Sequence, residues 1–164
     1  MLHIDIWADF ACPACYLAKP RIDQAIAASG HADAITVTYR SLELFPDAGA
    51  EPRMLHLAAE HGAASEFMDA VQRDLLGEGV NVYTAAYLAN AATRAGVPAA
   101  RAKALLAGDE YANAVRADEK LAREAGVTAV PFTILGGRLA IPGAATAAAY
   151  ADAITQALTT GDPQ

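Results

Sequence analysis

The feature that most constrains this chain is a pair of cysteines, Cys12 and Cys15, which are the only two among its 164 residues. They directly follow an apolar, strand-like run over residues 2–7 and begin a stretch with helical spacing over residues 12–29. Thiols at positions i and i+3 in the first turn of a helix lie on one face, so a disulfide closes between them with little backbone movement. The order of strand, cysteine pair and helix therefore predicts a redox site.

The position of Cys12 at a helix N-terminus supports the same interpretation. The unpaired N–H groups and the positive end of the helix dipole favour a thiolate over a thiol at this position. The thiolate is the form that attacks a disulfide. We therefore predict that Cys12 is the exposed nucleophile and that Cys15 is the buried resolving thiol, which attacks the mixed disulfide.

Two other roles for the cysteines stay open, namely inert core thiols and part of a metal site. A zinc site needs about four ligands, whereas the 4 histidines are scattered and a second CxxC motif is absent from the sequence. We expect no metal and no bound cofactor beyond the redox-active disulfide itself. A low-molecular-weight thiol stays open as a co-substrate.

Composition and charge limit the partners of the chain. It is 54% hydrophobic and 19% charged, as is typical of a globular protein, and its net charge is −7. The basic residues are scattered, so we expect no nucleic-acid partner. Apolar runs fall well short of the ~18 residues of a membrane span, so we expect no membrane partner.

The start of the chain gives an expectation about its location. Residues 1–5 lack a basic start, and Asp5 and Asp9 interrupt the apolar run that a signal peptide would need. We therefore expect a cytoplasmic protein. In a reducing cytosol, a lone CxxC motif is more often catalytic or metal-binding than structural.

Strand patterns occur at both ends of the chain and helical patterns fill its middle. Alternation, β-branched residues and a Gly136–Gly137 turn predict strands over 2–7, 35–42, 131–135 and 138–141. Helices are predicted over 12–29, 54–61, 65–76, 84–95, 98–107, 110–125 and 144–158. Residues 46–53 are predicted to form a turn-rich break, and the tail over 159–164 to fray. The pattern predicts a sheet made from both chain ends, with a helical segment inserted between them.

Two motifs resemble those of the thioredoxin superfamily, and more narrowly those of its DsbA-like, FrnE-type branch. The first is W-x-D-x-x-C-P-x-C over residues 7–15, and the second is G-V-x-x-V-P-F over residues 126–132. The resemblance implies an α/β, thioredoxin-like fold of the order β-α-β … β-β-α with an inserted helical domain. We accordingly predict a thioredoxin-like domain over 1–49 and 126–164 and an all-helical subdomain over 50–125.

The resemblance also implies how the site is built. The Val130–Pro131 bond is expected to be cis and to pack against the cysteine motif, so that an extended substrate pairs with the backbone of Val130. Further substrate contacts are predicted at Pro13 and Ala14, and at an apolar rim that includes Phe10.

Three departures from the family pattern modify these expectations. Relatives often carry Trp, Tyr or His where this chain has Ala14, so we expect a less oxidising cysteine couple. Many relatives also carry an acidic residue where this chain has Ile6. Asp9 is the candidate for handling protons instead, because strand alternation puts Asp5 on the wrong face. The helical segment is also shorter than in FrnE-type chains. The substrate groove that these helices build in relatives is therefore not carried over to this chain.

Together these features predict a cytosolic thiol:disulfide oxidoreductase of the DsbA family. Its substrate would be a protein or a small-molecule thiol or disulfide, and a homodimer stays open. One alternative is a glutathione-dependent isomerase or transferase of the kappa type, although those proteins typically have serine in place of the first cysteine. The other is a non-catalytic module that binds peptides or senses redox state.

Overall fold

Four strands from both ends of the chain form one mixed sheet. In the computed structural model, which describes residues 1–43 and 49–160, β1 (Leu2–Ala8) pairs parallel with β2 (Ile35–Ser41) and antiparallel with β3 (Phe132–Leu135). Strand β4 (Leu139–Pro142) pairs antiparallel with β3, giving the order β2-β1-β3-β4. The strand that precedes the cysteines is therefore central.

The two faces of β1 pack into different cores, as its alternation predicts. Leu2, Ile4 and Ile6 are buried in the main core. Trp7 points to the opposite face, where it forms a smaller cluster with Ala122 and Val127. Both sides of the sheet are therefore covered where the chain approaches the cysteines.

The predicted elements at the chain ends are confirmed. Helices α1 (Pro13–Ala28) and α7 (Ala147–Thr159) contribute buried residues to the main core, and the Arg21 guanidinium donates a hydrogen bond to the Ala145 carbonyl at 3.1 Å. Gly136 and Gly137 have φ values of 57° and 67°, so they form the primed turn that joins β3 to β4.

The segment between β2 and β3 is helical, as predicted. Within its described residues it contains α2 (Glu51–Glu60), α3 (Ala64–Gln72), α4 (Ala85–Ala95), α5 (Ala99–Leu106) and α6 (Ala112–Glu124), with a π-helical turn over Arg73–Gly77 after α3. The predicted break over 46–53 is wrong at residues 51–53, which begin α2 with Pro52 in its first turn. The predicted fraying of the tail over 159–164 is wrong at Thr159, which is the last residue of α7. The parts of these predictions that fall on 46–48 and 161–164 lie outside the described residues.

Asp118 of α6 attaches the helical segment to the sheet. Its carboxylate accepts hydrogen bonds from the Arg40 guanidinium at 3.2 Å and from the Ser41 N–H at 3.0 Å. Its carbonyl accepts a hydrogen bond from the Trp7 indole at 3.1 Å. His56 Nε2 of α2 lies 2.9 Å from the carboxylate but is not aligned for a hydrogen bond, so we count it as an electrostatic contact only. One hydrophobic core includes residues of the helical segment and of the two chain ends. The division of the chain into two domains stays a prediction.

Candidate active site

The two cysteines lie where the chain leaves β1 and enters α1. The Asp9 carboxylate accepts a hydrogen bond from the Ala11 N–H at 3.0 Å, and its carbonyl accepts one from the Cys12 N–H at 3.2 Å. These bonds close a tight turn, and Pro13 then starts the helix at a position where the missing N–H is no loss. The turn therefore places Cys12 at the N-cap of α1.

The sulfur of Cys12 is held between a backbone donor and a backbone acceptor. It accepts a hydrogen bond from the Cys15 N–H at 3.3 Å, and its thiol lies 3.7 Å from the carbonyl oxygen of Val130. Both cysteines are free thiols. An N–H of the first helical turn is thus directed at Cys12, as its position in the sequence predicts.

The predicted exposure of Cys12 is wrong. Cys12 is 5% exposed and Cys15 is 3% exposed, so accessibility hardly distinguishes them. The backbone at Val130 approaches Cys12 from the other end of the chain. The two thiols differ instead in their surroundings, since burial raises the pKa of the Cys15 thiol well above its usual range and the adjacent Cys12 sulfur adds to this rise.

The Val130–Pro131 bond is cis, as the resemblance implies. Pro131 is buried and Val130 is half-buried. The Pro131 carbonyl accepts a hydrogen bond from the Gly143 N–H at 2.8 Å, whereas the Val130 carbonyl faces Cys12. The structure therefore brings Val130 and Pro131 to the cysteine pair, while their role in substrate binding stays a prediction.

The remaining predicted site residues lie in different environments. Pro13 is exposed beside Cys12, and Ala14 is half-buried against the main core. Phe10 is buried and packs edge-to-face on Phe67, with ring centroids 5.7 Å apart. Phe10 is therefore a core residue, and its predicted contact with the substrate stays a prediction. The Asp9 carboxylate stabilises the turn, and its role in proton handling stays a prediction.

A buried lysine behind Cys15 was not found from the sequence. The Lys19 ammonium contacts the Asp23 carboxylate at 2.7 Å, the Asp69 carboxylate at 3.0 Å and the Ser65 hydroxyl at 2.8 Å. A small space between Lys19 and Cys15 is also lined by Ile6, Tyr39, Gln72 and Pro131, among other residues. The i, i+4 spacing of Lys19 and Asp23 was the one available signal, and it suggests an exposed pair rather than a buried one.

Two other kinds of site, a metal centre and a membrane-spanning helix, are absent from the part of the chain that the structure describes. Within residues 1–43 and 49–160, no group of three or more His, Cys, Asp or Glu side chains is arranged to hold a metal ion. Over the same residues, no helix has both the length and the apolar character needed to cross a bilayer.

Comparison with known families identifies the class of the protein. The sequence matches the family described as DSBA-like thioredoxin domain over residues 3–155. The chain therefore belongs to this family, and its predicted thioredoxin-like fold and its class, disulfide oxidoreductase, are confirmed. No curated protein matches the sequence significantly. The FrnE-type assignment within the family stays a prediction.

Solved structures agree with this class. A probable DsbA oxidoreductase from Streptomyces coelicolor is 29% identical, with a TM-score of 0.90 over 100% of this chain and 93% of that one. A thioredoxin-like oxidoreductase from Silicibacter pomeroyi is 16% identical, with a TM-score of 0.75 over 98% and 88% of the two chains. The thiol-disulfide oxidoreductase MdbA from Actinomyces oris is 17% identical, with a TM-score of 0.69 over 99% and 82%. The last two show the shared fold alone.

Proposed function

We propose that the protein catalyses thiol–disulfide exchange through Cys12 and Cys15, with Cys12 as the nucleophile. The observation that carries this proposal is the position of the Cys12 sulfur at the N-cap of α1, 3.3 Å from the Cys15 N–H. A backbone N–H directed at a sulfur stabilises its thiolate, which is the attacking species.

The reaction balances in two steps when the protein starts reduced. The Cys12 thiolate attacks one sulfur of a substrate disulfide, so a Cys12–substrate disulfide forms and the other substrate sulfur leaves as a thiolate that takes up a proton. Cys15 then loses its proton and attacks the Cys12 sulfur, and the second substrate sulfur leaves in the same way. The substrate gains two electrons and two protons, and the protein keeps a Cys12–Cys15 disulfide. An oxidised protein runs the same steps in reverse.

The surroundings of Cys15 support its assignment as the resolving thiol. Because burial raises the pKa of the Cys15 thiol, it stays protonated while the Cys12 thiolate attacks. Because Cys15 lies one helical turn along the same face, its sulfur is close enough to reach the mixed disulfide. The difference between the two roles therefore comes from the environment of each sulfur rather than from its exposure.

The substrate is proposed to lie along Val130 and the exposed Pro13, with Ala14 beside them. This is supported by the approach of Val130 to within 3.7 Å of the Cys12 sulfur. The proposed substrate is a protein or small-molecule thiol or disulfide. The cytoplasmic location and a homodimer remain proposals that rest on the sequence.

Alkylation tests the assignment of the two cysteines. Reduced protein is treated with iodoacetamide at neutral pH, and labelling of each cysteine is followed by peptide mass spectrometry. We expect Cys12 to be labelled several-fold faster than Cys15, because the pKa of Cys15 is raised. Equal rates, or faster labelling of Cys15, would overturn the assignment.

Trapping with single-cysteine variants tests the reaction itself. The Cys15→Ser variant should accumulate a mixed disulfide with a peptide disulfide substrate, whereas the Cys12→Ser variant should accumulate far less. The reduction potential of the wild-type pair then gives the direction of electron flow. A value of about −270 mV would indicate a reductant like thioredoxin, and a value of about −120 mV would indicate an oxidant like DsbA.

A further inference from the structure

A small cavity lies beside the loop that leads into Cys12. Its volume is about 30 Å³. The residues that line it come from the loop before Cys12, the loop after β2, the start of α2 and the loop before α4, and they are Asp9, Phe10, Ala11, Glu43, Glu51, Pro52 and Tyr83. The ionisable groups among them are three carboxyls and a phenol. The cavity therefore lies beside the residues that lead into Cys12 and is lined by acidic groups.

Glu51 is the most deeply buried ionisable residue of this set. It is 3% exposed, and its Oε2 atom is buried without a hydrogen-bond partner. A buried carboxylate oxygen without a partner is costly to the folded protein. Glu51 is the first residue of α2, where the positive end of the helix dipole favours its negative charge. The Oε2 atom nevertheless stays without a hydrogen-bond partner. A Cβ atom at residue 49 would overlap the carboxylate, so Gly49 makes room for it.

The surroundings of Glu51 supply too little positive charge. Burial raises the pKa of Glu51 and the nearby Asp9 carboxylate adds to the rise, while a hydrogen bond from the residue's own backbone N–H and the charge of Arg53 oppose it. The Arg53 guanidinium instead donates hydrogen bonds to the carbonyls of Leu105 and Gly108, at 3.2 and 2.8 Å. Burial also raises the pKa of the Tyr83 phenol, with added contributions from the Glu51 and Asp9 carboxylates.

Among the described residues that line the cavity, none is Lys, Arg or His. A positive charge that satisfies the unpaired oxygen would therefore come from a bound molecule.

We propose that this cavity is a subsite for an ammonium group of the substrate, such as the side chain of a lysine next to the reacting cysteine of a peptide disulfide. A cavity of about 30 Å³ holds a compact ammonium group, since about 10–15 Å³ suffices for a water molecule. Tyr83, which lines the cavity and is 44% exposed, adds an aromatic ring that also attracts a cation. The proposal rests on the proposed thiol–disulfide exchange and names its substrate class.

The test compares peptides that differ at one residue. Each peptide carries one cysteine in a disulfide with 2-mercaptoethanol, and the adjacent residue is lysine, its neutral analogue norleucine, or arginine. The rate at which reduced wild-type protein releases the peptide thiol is measured at low ionic strength. We expect the lysine peptide to react roughly fivefold faster than the norleucine peptide, with a smaller gain for arginine. A gain for arginine as large as for lysine would overturn the choice of an ammonium group.

A pair of matched variants separates Glu51 from the overall acidic charge of the protein. In Glu51→Gln, the ratio of lysine to norleucine rates should fall close to one. In Glu66→Gln, which removes the same charge from an exposed position on α3, the ratio should stay at its wild-type value. A ratio that persists in Glu51→Gln, or that falls equally in both variants, would overturn the proposal.

The wild-type comparison needs no variant, so it can overturn the subsite even if Glu51→Gln fails to fold. Equal rates for the lysine and norleucine peptides would overturn the subsite and leave the proposed exchange reaction intact. No thiol release from any of the peptides would overturn the exchange reaction itself.

Discussion

Two buried carboxylates in this protein have opposite surroundings. Asp118 is 4% exposed and Glu51 is 3% exposed. The Asp118 carboxylate accepts hydrogen bonds from Arg40 and Ser41, whereas one oxygen of Glu51 has no partner. Burial is therefore not what distinguishes the two groups. The difference is whether the chain itself supplies the compensating donors.

The comparison shows that a buried charge has two different uses. When its partners belong to the chain, as at Asp118, the charge fixes one segment against another and removing it should affect stability. When a partner is missing, as at Glu51, the folded state is less stable than it would be with a neutral side chain. Such a position retains the ability to bind a cation. The predictions below test this distinction through the free energy of unfolding.

The largest effect is expected for Asp118→Ala. Removing one partner of a buried ion pair typically costs about 3–5 kcal/mol. In this variant Arg40 still contacts the Asp5 carboxylate at 2.7 Å, so its positive charge stays partly paired. We therefore expect the free energy of unfolding, measured with urea, to fall by an amount near the lower end of this range. Asp118→Asn, which keeps an acceptor for the Ser41 N–H, should lose less. Equal losses in the two variants would show that the Ser41 bond contributes nothing.

A smaller effect is expected for Lys19→Met, which tests a buried cation. The Lys19 partners Asp23 and Asp69 are exposed carboxylates that water can solvate after the change. Methionine also fills the space of the buried stem. The free energy of unfolding should therefore change by less than about 1.5 kcal/mol. A loss as large as that of Asp118→Ala would contradict this, and would place Lys19 among the groups that fix the fold.

The smallest effect is expected for Glu51→Gln, and it should depend on pH. Since the pKa of Glu51 is raised in the folded protein, the folded state binds more protons than the unfolded state between the two pKa values. The contribution of Glu51 to the free energy of unfolding of the wild type therefore falls as the pH rises from the ordinary glutamate pKa through the pKa of Glu51 in the folded protein. The stability of Glu51→Gln relative to wild type should increase over that window. Urea unfolding of both proteins at a series of pH values provides the measurement, and a constant difference would contradict the expectation.

Local patterns were sufficient to predict most of the fold. Alternation over residues 2–7 indicated a strand, and the Gly136–Gly137 pair indicated the hairpin turn; the structure confirms both. These features depend on residues next to one another in the chain, so the sequence displays them directly. The start of α2 was missed because Pro52 and its neighbours are typical of both turns and first helical turns.

The errors in the site come from contacts between distant parts of the chain. Cys12 is buried in part because Val130 approaches it from 118 positions away, and Phe10 is in the core because it packs on Phe67. The burial of Asp118 depends on Arg40 and Ser41, at separations of 78 and 77 positions. On its own helix, Asp118 lies among charged neighbours, as an exposed residue would. Patterns within one element do not contain this information.

The position of β1 in the centre of the sheet has a consequence for the newly made protein. Strand β1 receives β2 on one edge soon after both are made, but β3, its partner on the other edge, begins only at Phe132. At about 5–20 residues per second, the ribosome takes on the order of ten seconds to advance from β2 to that point. Until then, the second edge of β1 is open to pairing with another chain. The cysteine pair leaves the ribosome 118 positions ahead of Val130, so it acquires the neighbouring carbonyl of Val130 only after that long stretch has been made.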